Sequence, residues 1–69
     1  MVEVFRTNVR KVREAKRIIQ KLSEEFPEHR INFDLLDCDK VLRIQGAQVP
    51  ESKIIHLATE LNFQCERLD

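Results

Sequence analysis

The period of the apolar positions changes along the chain, and each change marks an element. Val2 to Thr7 is short, rich in β-branched and aromatic residues and free of breakers, which predicts a strand with Val2 and Val4 on one face and Phe5 on the other. From Val9 the spacing becomes helical. Val12, Ala15, Ile18, Ile19, Leu22 and Phe26 form one stripe of a helix over about residues 9–25, with Asn8 as candidate N-cap and Pro27 as the stop. Ile31, Phe33 and Leu35 alternate with Asn32 and Asp34, the period of a strand with one buried face. Asp37 to Lys40 supplies a turn, and Val41 to Gln45 returns as the second strand of a hairpin that Gly46 ends.

Pro50 suits the first turn of a second helix, on which Ile54, Leu57, Ala58 and Leu61 share a face. Asn62 falls where a helix ends in a left-handed residue, and Phe63 to Leu68 reads as the last strand. The order is βαββαβ, without an internal linker, so residues 1–69 form one domain. This is the ferredoxin-like split βαβ motif of the α+β class. Right-handed crossovers place both helices on one face of a four-stranded antiparallel sheet of order 4-1-3-2, with the second and fourth strands at the edges.

Several segments resemble a heavy-metal-associated domain, the small βαββαβ module of copper and zinc chaperones and of metal-pumping ATPase N-termini. Ile31-Asn32-Phe33-Asp34-Leu35 resembles that family's V-x-V-D-L strand, and Asn62-Phe63 stands where the family has Gly-Tyr or Gly-Phe. Laying Val9 on the methionine of the family's first-loop M-x-C-x-x-C motif aligns Ile18 and Leu22 with its helix-core positions. The resemblance implies the ferredoxin-like fold and a metal role. The two ligand positions, however, hold Lys11 and Glu14, and no cysteine precedes Cys38. A soft-metal site needs converging thiolates, and a lysine ammonium repels the ion. The expectation is a relative without the family's metal transfer, with no cofactor. The runner-up is a metal protein with a relocated site built from Cys38, Asp39 and Cys65, beside Asp37. Those cysteines fall on opposite edge strands, which opposes a shared ion or a disulfide.

Composition adds limits. Chains of 69 residues bury only about 60% of their unfolded surface, leaving room for one small core. No apolar stretch approaches the ~20 residues of a membrane span, and the first residues lack the order of a signal peptide, so the expected location is cytoplasmic, without membrane contact. There is no glycine-rich phosphate loop, no G-x-S-x-G and no Ser/His/Asp arrangement. His29 and His56 have no sequence-adjacent partner to orient them and read as surface residues. An enzyme is not expected. For RNA stacking, Phe5 is the one candidate; the same residue, pointing away from the helices, implies a sheet face covered by another subunit.

The net charge of zero conceals a distribution. Residues 1–21 hold seven Lys and Arg against two Glu, a net +5, and the rest hold five against ten, a net −5. Arg10, Lys11, Arg13, Lys16 and Arg17 crowd the start of the first helix, the reverse of what the helix dipole favours. One reading is an ordinary solvated face. Another is a surface for an anionic partner: an acidic protein face, a nucleotide phosphate at the helix N-terminus, or nucleic acid. A third is self-association, with the basic helix of one copy against an acidic edge of another.

Overall fold

A computed structural model describes residues 1–68. Its elements run β1 (Val2–Thr7), α1 (Val12–Glu25), β2 (Arg30–Asp34), β3 (Val41–Gln45), α2 (Glu51–Glu60) and β4 (Cys65–Arg67). The strands form one antiparallel sheet of order β2-β3-β1-β4, which is the expected order read from the other edge. The register sorts the side chains. Phe5 lies opposite Leu42, and Leu42 opposite Phe33; Ile44 lies opposite Ile31. These residues share the face on which both helices rest. Phe5, Leu42 and Ile44 join Val9, Ala15, Ile18, Leu22 and Ile54 in one buried cluster. Each large side chain withdrawn there contributes about 1.5–3 kcal/mol.

Phe5 is completely buried in that cluster, so it neither stacks a base nor marks a covered outer face. Among the described residues the outer face carries no aromatic side chain on a strand; it shows Val2, Val4 and Arg6, then Arg30, Asn32 and Asp34, then Val41, Arg43 and Gln45, then Glu66.

Helix α1 starts at Val12, later than the apolar spacing predicts. Val9 and Val12 sit three residues apart and satisfy one stripe equally on paper. In the fold Val9 is buried from the preceding loop, whereas Val12 is 63% exposed on the flank of the helix. Asn8 is not the cap either. Lys11 occupies that position, and the Glu14 carboxylate folds back to accept from the Lys11 amide at 3.1 Å and the Arg10 amide at 3.4 Å. Asn8 instead accepts from the backbone amide of Gln64 at 2.9 Å, tying the first loop to the approach of β4.

At the far end of α2, Asn62 takes a left-handed φ of 70°, as expected. The Phe63 amide donates to the Ala58 carbonyl and the Asn62 amide to the Thr59 carbonyl, the paired bonds of a Schellman ending. That ending consumes Phe63, so β4 is shorter than predicted. At the β2–β3 connection, Asp34 accepts from the amides of Leu36 and Asp37, and Asp37 from that of Asp39. These side-chain turns end β2 at Asp34, one residue early, and leave Leu36 99% exposed.

Two tertiary anchors complete the frame. Arg67 on β4 bridges Glu3 on β1 at 2.7 Å and Glu51 at the start of α2 at 3.3 Å; the Glu3 side chain is only 13% exposed. The His29 ring lies against Gly46 and leaves no room for a Cβ there. It also meets Phe26 edge-on and contacts the Gln48 carbonyl through Nε2. His29 is therefore a half-buried packing residue and not the surface histidine expected.

Candidate functional site

The first loop is held from below by Thr7. Its amide donates to the Asp39 carbonyl at 3.1 Å, its hydroxyl donates to the Lys40 carbonyl at 2.5 Å, and the same oxygen accepts from the Val9 amide at 3.2 Å. Thr7 thus fastens the loop to the β2–β3 turn while Asn8 fastens it to the lead-in of β4. Arg10 and Lys11 project from this pinned segment, and both are exposed.

On α1 the sheet-facing stripe is Ala15, Ile18 and Leu22. At 100° per residue the opposite face carries Arg13, Arg17, Gln20 and Glu24, with Lys16 on one flank, all exposed. Arg13 and Arg17 are one turn apart, as are Arg17 and Lys21. Among the described residues, none of Arg10, Lys11, Arg13, Lys16, Arg17 and Lys21 has a carboxylate at ion-pair distance. The sheet arginines differ. Arg6 pairs with Asp39 at 3.2 Å and Glu66 at 2.8 Å, Arg43 with Asp34 at 3.7 Å, and Arg67 with Glu3 and Glu51. The cations of the α1 surface therefore lie side by side without a direct ion pair, although Glu24, Glu25 and Glu60 line the groove beside Arg17 and Lys21.

Glu14 bears on what that surface can take. A helix N-terminus attracts anions through its free amides, and here Glu14 already occupies the first of them. The charge on the surface comes from long side chains on a convex helix. Such an array suits another broad surface better than a single phosphate.

The relocated metal set is not brought together. Cys65 lies opposite Thr7, on the edge strand β4, whereas Cys38 is in the exposed turn after the other edge strand, β2. Among the described residues, the ligand atoms that converge within 4.8 Å of one another are those of Asp37, Cys38 and Asp39. Two of the three have other employment: Asp39 pairs with Arg6, and Asp37 holds the turn. Burial, reinforced by the negative charge of Glu66, pushes the Cys65 thiol up to about 11, so it is protonated at neutral pH and a poor metal ligand.

His56 is exposed and pairs with Glu60 one turn on. Among the described residues, no helix is long and apolar enough to cross a membrane. Sequence reasoning identified the basic residues but missed Thr7 and the Glu3–Arg67–Glu51 bridge. The alternation that puts Glu3 on the same face as Phe5 was the available signal for the latter. No family model, no curated protein and no solved structure matches this chain.

Proposed function

We propose that this chain is a non-catalytic binding module with a ferredoxin-like fold, which docks an acidic protein surface through Arg10, Lys11, Arg13, Lys16 and Arg17. The observation that carries the reading is the contrast between these exposed cations, which have no carboxylate partner among the described residues, and the paired arginines of the sheet. Exposed ion pairs are worth about 0.2–1 kcal/mol each, so five such contacts supply about 1–5 kcal/mol and a weak, salt-sensitive affinity, at best about 0.2 mM from the ion pairs alone. Two features favour protein over nucleic acid. The basic surface has no aromatic residue among its cations, and the outer sheet face offers none for stacking.

The heavy-metal-associated resemblance fits this reading as a domain whose first loop carries charge in place of thiolates. Lys11 presents an ammonium where that family has a cysteine, and Glu14 caps the helix where it has the other. The test is affinity capture from extracts of the source cells, at low and high salt, with Arg13→Glu/Arg17→Glu as control. Capture lost in high salt and in the double variant supports the proposal. Retention of every partner by the double variant reduces the basic surface to a solvated face.

A further inference from the structure

The sheet has two open edges, and they are built differently. Strand β4 has three residues, and a copy paired antiparallel about its centre would set Glu66 against Glu66. That edge is short and self-repelling, a common protection against pairing. Strand β2 is different. Its five residues read Arg30-Ile31-Asn32-Phe33-Asp34, and it pairs only with β3. Laid antiparallel against a second copy about a two-fold axis at Asn32, it complements itself at every position. Arg30 meets Asp34, Ile31 meets Phe33, and Asn32 meets Asn32. The alternation then places both charged pairs and the amide pair on the outer face, and both apolar pairs on the helix face.

The helix above this edge carries a second, separate feature. Helix α1 packs over β2, and α2 over β4. The side of α1 turned toward α2 holds Arg17, Lys21, Glu24 and Glu25 along the groove with Leu57 and Glu60. With the sheet below and α2 on that side, the remaining flank looks out over the β2 edge. At 100° per residue it carries Val12, Ile19 and Ser23, together with Lys16. Val12 is the one residue of α1 whose exposure the monomer does not explain. Joining two β2 edges brings two such flanks together across the same axis.

From these two features we infer that the chain forms a two-fold symmetric dimer through β2, giving a continuous eight-stranded antiparallel sheet with Val12 and Ile19 covered by the facing α1. Arg30, which lacks a carboxylate partner among the described residues, gains one from Asp34 of the second copy; besides the Leu36 and Asp37 amides, Asp34 has Arg43 at 3.7 Å as its cation among the described residues. The contact is isologous and closes at two copies, unlike a head-to-tail contact of a basic helix on an acidic edge, which is heterologous and gives a ring or a filament. It shares only the flank residue Lys16 with the acidic-partner surface and leaves the outward faces of Arg13 and Arg17 free.

Sedimentation equilibrium at millimolar chain concentration gives the test. The wild-type chain is expected at twice its 8.2 kDa mass. Arg30→Asp, which leaves the Asp34 turn intact, sets carboxylates against each other at both ends and is expected as a monomer, as is Asn32→Asp. Arg30→Asp/Asp34→Asn, which keeps the Oδ1 acceptor of the turn and removes the carboxylate repulsion, is expected to associate more tightly than Arg30→Asp. Arg13→Glu/Arg17→Glu stays dimeric. A monomeric wild type, or Arg30→Asp and Asn32→Asp dimers as stable as wild type, overturns the inference. So does dissociation caused by Arg13→Glu/Arg17→Glu, which identifies the head-to-tail contact instead.

Discussion

Replacing Arg17 by Glu is expected to stabilise the fold while weakening the surface that the proposed function uses. Arg17 lies one turn from Arg13 and one turn from Lys21, and none of the three has a carboxylate at ion-pair distance among the described residues. Like-charge pairs at this spacing cost about 0.2–0.5 kcal/mol each, and opposite pairs return a similar amount. Arg17→Glu converts two repulsions into two attractions, and the new carboxylate precedes Lys21 by one turn, the favoured order. The swing is about 0.8–2 kcal/mol, reduced by Glu14, three residues away, and by Glu24, Glu25 and Glu60 along the same groove. A net gain of about 0.5–1 kcal/mol raises Tm by roughly 2–8 °C for a domain of this size. The gain belongs to low salt. At 1 M salt the Debye length is about 3 Å and the difference should vanish. Thermal unfolding followed by circular dichroism, at low and at high salt, measures both. An unchanged or lowered Tm at low salt refutes the argument that the α1 cations repel one another.

Three further outcomes rest on particular groups. Thr7→Val removes the hydroxyl bonds to Lys40 and Val9, leaving partners short of water, at about 1–3 kcal/mol, whereas Thr7→Ser keeps both bonds; urea unfolding in which Ser costs more than Val would place the role of Thr7 in its methyl group. The Cys65 thiol ionises near 11 when folded and near 9.0 when unfolded, so the unfolded chain sheds its proton first; stability should fall as pH climbs from about 9 to about 11, a decline absent in Cys65→Ala, and at pH 8 Cys38 should alkylate well before Cys65. Titration with Zn(II) or Cu(I) under reducing conditions should reveal no tight site; a stoichiometric complex abolished by Cys38→Ser would restore the metal reading.

The parts of the fold that were legible in the sequence are those set by local period and local breakers. Strands β1 and β3 have the predicted bounds because alternation ends abruptly at Asn8 and Gly46. The left-handed Asn62 was legible for the same reason. What was not legible depends on partners far along the chain. Asn8 has the chemistry of a cap, yet its oxygen serves Gln64, 56 residues away. Val9 and Val12 satisfy one helical period equally, and only the position of the sheet decides that Val9 is buried. The candidate site divides similarly. Its basic residues could be counted from the sequence, but the absence of ion-pair partners among the described residues, and the occupation of the helix start by Glu14, are tertiary facts.

Whether α1 and the loop before it form a docking surface for an acidic protein is decided by a backbone NMR titration with a glutamate-rich peptide at low salt. Salt-sensitive shifts are expected, confined to the amides of residues 10–21 and lost in Arg13→Glu/Arg17→Glu. Shifts centred on the outer sheet face or the Asp37–Asp39 turn, or equal binding by the double variant, would rule the docking surface out.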